Sequence, residues 1–322
     1  LLILALVACL AAGWSAGQAF AQSHTQGLDV MLILDQSNSL WELGGVGSDP
    51  EMLRMAGARL IATYLGVDDL TMDYRLGLVY FGTRPKLVAP LTSLGNPAGR
   101  ESLLVTLDQP PEPMGWTDVN TSLELAYEEL IHSERAEPNR AKVVILFTDG
   151  RPQTESLHTL LTFEAYLTDL EAQVRRFAEQ DAAVFAVLLG SPATDADPQT
   201  RDLYRPLWVD LAESGIGVYF YDARSNKDLA DVYHDIVVRI HRNRSQGAIL
   251  DETVDGSISV PIQVPSSWSR TNFVVHKSDA ALEISIYRPD GSHLKAGDAG
   301  VRYSADPKGA RDEVWTVAAP TP

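Results

Sequence analysis

Cysteine is almost absent. Cys9 is the only one in 322 residues, and it lies in an apolar N-terminal stretch. A disulfide framework and a thiolate metal site are thereby excluded. Histidine is sparse too: the seven residues at 24, 132, 158, 234, 241, 276 and 293 are scattered, with no H-E-x-x-H spacing. No G-x-x-x-x-G-K-[ST] phosphate loop occurs, so the familiar zinc-hydrolase and nucleotide-binding chemistries have no sequence support. Positive charge is scarce, with 26 basic against 43 acidic side chains and a net charge of -17. A nucleic-acid partner is excluded on that ground, because no surplus of Lys or Arg is available to neutralise phosphates. The acidity is concentrated: residues 22–245 hold 33 acidic and 19 basic side chains, the remainder 10 and 7. Such a field keeps a protein soluble and attracts cations and basic partners.

What is present begins with "LLILALVACLAAGWSAGQAFAQSH", which carries no charged residue through position 22. Ala19-Phe20-Ala21 fits the small-x-small rule for signal cleavage. Residues 1–21 are therefore expected to be a signal peptide whose start lies upstream, and Gln22 the first mature residue. A retained leader acting as a membrane anchor is the alternative. The pattern "GWSAG" (13–17) matches a serine-hydrolase elbow, but it sits inside this leader with no strand before it.

After a short linker (22–26), apolar runs alternate with helical periodicity. "LDVMLIL" (28–34), "YRLGLVYFG" (74–82), "AKVVILFTDG" (141–150), "AAVFAVLLG" (182–190) and "GVYFYD" (217–222) read as strands. "PKLVAPLT" (85–92) reads as an edge strand because of its prolines. Helices are expected over 50–66, 121–133, 162–180, 203–214 and 226–243. The alternation predicts an α/β, doubly wound, mostly parallel sheet over 27–243. From 247 to 322 the pattern changes to period-2 alternation with turn signals such as Pro289-Asp290-Gly291. That part is expected to be a smaller, sandwich-like β domain, continuing beyond Pro322.

In such sheets ligands gather at the carboxyl ends of the parallel strands. Two predicted strands deliver acids there, Asp35 and Asp149, and a loop supplies Thr117 and Asp118 just before a helix. Ser37 and Ser39 follow Asp35 at alternate positions. The set offers oxygen donors alone, which select hard cations such as Mg²⁺, Mn²⁺ or Ca²⁺ over Zn²⁺. A D-x-S-x-S segment can turn its first, third and fifth residues toward one ion.

"DQSNS" (35–39), "GWTD" (115–118) and "FTDG" (147–150) resemble the three pieces of the metal-ion-dependent adhesion site of von Willebrand factor type A domains, in order and spacing. The resemblance covers about 27–243. It implies that Ser37 and Ser39 hold a divalent ion directly, Thr117 directly or through water, and Asp35 and Asp149 mainly through water. Asp118 is expected to cap the following helix or to support the site from outside. The resemblance further implies a bacterial exported type of the family, lacking the cysteines of many animal members. It implies a protein partner that completes the ion's shell with an acidic side chain, at the cell surface or outside the cell. Membrane association would come through the leader or through sequence beyond the chain. An envelope sensor or assembly subunit, in which binding reorients the β domain, is the alternative. A metal-dependent hydrolase is disfavoured, since no histidine lies in the three motif segments.

Overall fold

The computed structural model describes residues 27–41, 47–49, 52–66, 73–109 and 111–189 (except 155 and 158). It also describes 196–223, 231–240 (except 234, 237 and 238), 259, 262, 270–277, 281–305 and 312–318. The expected signal peptide and linker lie outside these residues.

Six strands form the main sheet: β1 (Gly27–Asp35), β2 (Asp73–Phe81), β3 (Lys86–Ser93), β4 (Ala141–Thr148), β5 (Ala182–Leu189) and β6 (Val218–Ala223). Their order is β3-β2-β1-β4-β5-β6, with β3 antiparallel at the edge and every other pairing parallel. The helices are α1 (Leu53–Leu65), α2 (Pro97–Leu107), α3 (Val119–Tyr127, continued by a wider turn over Glu128–His132), α4 (Leu160–Glu179) and α5 (Arg205–Glu213). Residues 231–240 supply a last helical segment. α2 was not anticipated from periodicity, although Asn96 caps it and Pro97 opens it, a standard first-turn pair.

Every residue of β1 is buried, which explains its unbroken apolar run. Its side chains still alternate between two cores. Val30, Leu32 and Leu34 pack toward α1, α2 and the 231–240 segment. Met31 and Ile33 pack toward α3, α4 and α5. Fully burying side chains of this kind stabilises by about 1.5–3 kcal/mol each. At the amino end of the sheet, buried Asp29 accepts hydrogen bonds from Arg75 Nε (2.7 Å) and Arg140 Nε (2.6 Å). Arg140 also reaches Asp73 (2.8 Å) and Arg75 reaches Glu137 (2.6 Å). This ionic knot closes the edge opposite the candidate site.

A second sheet follows, β7 (Arg270–His276), β8 (Val301–Ala305) and β9 (Asp312–Ala318), antiparallel throughout in the order β7-β9-β8. The β character expected for 247–322 is therefore present, as one three-stranded sheet among the described residues. Inside it Lys277 Nζ donates to Glu313 Oε1 (2.5 Å) and Trp315 Nε1 to Glu313 Oε2 (3.1 Å). β8 and β9 pack against α1, and Val314 joins the α1-side core. That contact explains why α1 is buried on nearly all sides, with only Leu53 and Arg59 partly exposed. Gly57 allows close approach on one of those sides: a Cβ there would land on the Tyr233 ring, whose hydroxyl donates to Leu53 O (3.0 Å).

Candidate functional site

Parallel register does the first part of the assembly. Leu34 pairs with Phe147, so Asp35 and Thr148 end their strands side by side and Asp149 follows directly. Asp35 is completely buried. Its Oδ1 accepts the Ser37 backbone N–H (2.7 Å), the Asx turn that swings the chain after β1. Its Oδ2 accepts the Thr148 hydroxyl (2.8 Å). Ser37 is buried and shares a hydrogen bond of 3.0 Å with exposed Ser39. Asp149 is buried and accepts hydrogen bonds from Ser39 and from Ser48. Asp35, Ser37, Ser39 and Asp149 thus form one connected cluster.

Thr117 reaches the same edge by backbone ties. Met114 N donates to Gln36 O (2.7 Å), Asn38 N to Gly115 O (2.8 Å), and Gly115 N to Asn38 Oδ1 (3.2 Å). Thr117 itself is buried and exchanges backbone hydrogen bonds with Gln153, at 2.8 and 2.9 Å. The loop carrying Thr117 is therefore bonded to both loops that carry the acids. Gly115 has φ +84°, a conformation that favours glycine and turns the chain between Met114 and Trp116. Asp118 caps α3: it accepts Thr121 N–H (3.3 Å) and the Tyr166 hydroxyl (2.8 Å). Both donors meet the same oxygen, Oδ1.

The electrostatics follow from burial. Asp35 is pushed up to about 7, first by desolvation and then by the charge of Asp149. Asp149 is also raised by burial, against the opposing pull of its hydroxyl donors and of Arg54. Nearby Tyr204, fully buried, has its phenol pushed upward chiefly by burial, with the charges of Asp35 and Asp149 adding to it. Two converging carboxylates in a dry place want a cation, and hydroxyls around them are suitable further donors. Among the described residues no three His, Cys, Asp or Glu side chains cluster as a metal site. The donor set is instead two carboxylates plus hydroxyls, which fits a hard ion retaining water.

Three contributors escaped the sequence reading: Ser48, Gln36 and Arg54. Ser48 Oγ donates to Asp149 and sits 3.1 Å from Ser39 O. Fully buried Arg54 donates to Gln36 Oε1 (2.7 Å) and to Asp49 Oδ2 (2.5 Å). Asp49 accepts the Leu53 N–H (2.7 Å) and the Arg54 N–H (3.2 Å) at the start of α1. α1 begins at Leu53 with Met52 at the N-cap position, later than the expected residue 50.

No curated protein matches the chain. Among solved structures, a minor pilin, PilB of Streptococcus sanguinis, is 15% identical with a TM-score of 0.53, over 69% of this chain and 62% of that one. The chain thus spans under two thirds of the pilin's length. The pilus adhesin SpaC of Lactobacillus rhamnosus GG is 13% identical with a TM-score of 0.47, over 92% of this chain and 39% of the adhesin. Mussel byssus proximal thread matrix protein 1, with a zinc-occupied MIDAS motif, is 16% identical with a TM-score of 0.43, over 67% of this chain and 46% of that one. At such identities the pilin likeness speaks for the fold. The family model of the von Willebrand factor type A domain matches residues 29–200, more than half of the chain. With the six-stranded sheet and the loops described above, this chain belongs to the von Willebrand factor type A domain family.

Proposed function

We propose that the protein is an exported, cell-surface binding module that grips an acidic side chain of a protein partner through a divalent cation. Ser37, Ser39 and Thr117 would hold the ion with Asp35 and Asp149, and Mg²⁺ is the best match to two carboxylates, hydroxyls and water, with Mn²⁺ or Ca²⁺ as substitutes. The observation that carries this reading is the convergence of Asp35 and Asp149, both buried, on a cluster of serine hydroxyls. When bound, the ion supplies positive charge and an open coordination position for a carboxylate. The chain's own residues fix the loops and exclude water from the carboxylates. The pilin likeness favours a surface setting. No helix of the described residues is long and apolar enough to cross a membrane, so an anchor would come from the leader or from elsewhere. No enzymatic role is proposed.

The packing of β8 and β9 on α1 favours a second reading. α1 begins a few residues after Ser48 and Asp49, so an envelope sensor or assembly subunit could pass occupancy of the site to the C-terminal sheet.

The test is thermal unfolding of residues 22–322 in EDTA and then with Mg²⁺, Mn²⁺ or Ca²⁺, beside an Asp35→Ala, Asp149→Ala double variant. An ion that binds only the native state raises stability by about 2.7 kcal/mol at a hundred times its Kd. The parent should respond and the double variant should not. Equal behaviour at millimolar metal would remove the basis for the reading. If the ion does bind, a Mg²⁺-dependent, EDTA-reversible interaction with a carboxylate-bearing protein is expected next.

A further inference from the structure

Arg54 is a fully buried arginine at the second position of α1, and burying a guanidinium is costly unless its environment is built for it. Its two terminal nitrogens point to different chain segments. Nη2 donates to Gln36 Oε1 (2.7 Å) and Nη1 to Asp49 Oδ2 (2.5 Å). The indole of Trp41 covers it at 5.4 Å from ring centroid to Cζ. Each segment is one residue away from the candidate site. Gln36 separates Asp35 from Ser37. Its backbone N–H donates to Phe81 O and its carbonyl accepts from Met114 N, both at 2.7 Å. Gln36 therefore joins the ends of β1 and β2 to the loop of Thr117. Asp49 follows Ser48, whose hydroxyl reaches Asp149 and the carbonyl of Ser39. Between Asp49 and Arg54 the chain adopts a left-handed conformation at Met52 (φ 53°), which costs energy in a non-glycine residue and persists only where neighbours impose it.

We propose that Arg54 is the positioning residue of the metal site: its guanidinium fork clamps Gln36 and Asp49, and through them holds all three metal-binding loops in the arrangement the ion needs. The inference rests on the proposed metal site and deepens it. Its physical content is that the shape of the loops is set from beneath by a fixed cation, before the divalent ion arrives. Arg54 also places a positive charge near Asp149, which by itself would weaken the ion's binding. Loop placement and charge therefore predict opposite outcomes for its removal. The geometry favours placement, because the fork meets two segments at once and a point charge could not.

Two measurements on residues 22–322 test this, with Arg54→Lys and Arg54→Met. The first is amide hydrogen exchange in EDTA, which needs no metal. Arg54→Met should lose protection at Gln36 and Met114 by tenfold or more, while the sheet amides of β4 and β5 change little. Arg54→Lys, able to reach one segment at a time, should fall between parent and Met. The second is calorimetric titration with Mg²⁺ and Mn²⁺ under conditions where each variant is folded. Arg54→Met should bind at least tenfold more weakly, with partial rescue in Arg54→Lys. Unchanged protection at Gln36 and Met114 would overturn the clamp. So would unchanged or tighter metal binding by Arg54→Met, which would leave a merely structural or merely electrostatic role. A parent that binds neither ion would count against the proposed function, while the exchange measurement would still decide whether Arg54 positions the loops.

Discussion

Asp35→Asn separates the two things asked of that carboxylate. In the metal-free protein the side chain is completely buried and pushed up to about 7, against an ordinary value near 3.8. A raised carboxylate means that the native state keeps a proton the unfolded chain has already released. The contribution is fully present below pH 4 and is lost as pH rises to about 7, above which it is flat. Taking 7 minus 3.8 as about 3 units, and about 1.4 kcal/mol per unit, the loss is at most about 4 kcal/mol. Asparagine keeps the shape and cannot ionise. Its oxygen can accept Ser37 N–H, and its NH₂ can donate to Thr148 Oγ1, freeing that hydroxyl for Gly150 O, now 3.3 Å away. The assay is urea unfolding of parent and variant in EDTA at pH 5, 6, 7 and 8. The variant should gain on the parent steadily up to pH 7 and stay ahead at pH 8. With saturating Mg²⁺ the order should reverse, because the ion stabilises only the ionised parent. A parent–variant difference that does not change with pH, or a variant less stable than the parent in EDTA at pH 8, would refute the argument that buried charge is uncompensated at this site.

Three further outcomes are expected. Asp118→Ala should lower stability by about 1 kcal/mol through the lost α3 cap and leave the Mg²⁺ response in place, as unfolding with and without metal will show. Asp29→Ala leaves Arg140 buried without its main counter-charge and should cost about 3–5 kcal/mol by denaturant unfolding, with unchanged metal affinity because it lies at the far edge of the sheet. Gly57→Ala drives a methyl into the Tyr233 ring and should cost about 1–3 kcal/mol, with faster exchange in residues 231–240; an unaltered melting temperature would mean that the two helices do not rest on each other as described.

The main sheet was legible because each strand announces itself. Short continuous apolar runs such as "VVILF", rich in β-branched residues and followed by turn signals, read as strands covered on both faces, and their observed ends fall within two residues of those expected. Asp35 and Asp149 were legible for the same reason, being the first charges after buried strands. Ser48 and Arg54 were not. Each acts through a partner far along the chain, Asp149 for one and Gln36 for the other, and no period links such pairs. α2 was missed although Asn96-Pro97 marks its start, because its moderate apolar content hides its face. The covering of α1 was not legible. "LRMAGARLIATYL" reads as part of an amphipathic helix carrying Arg54 and Arg59, and nothing in it says that Val314 lies over it.

That cover has a kinetic consequence. α1 is completed by residue 65 and β9 spans residues 312–318, so about 250 residues of chain separate the helix from part of its own core. Contacts at such separation form late, since the intervening loop must first be closed. A chain emerging from a ribosome would carry α1 with one apolar side uncovered until β8 and β9 arrive. This is the period in which a folding chain is most exposed to aggregation. Refolding should therefore show a slow final phase reported by Trp315 fluorescence, after the parallel sheet has formed.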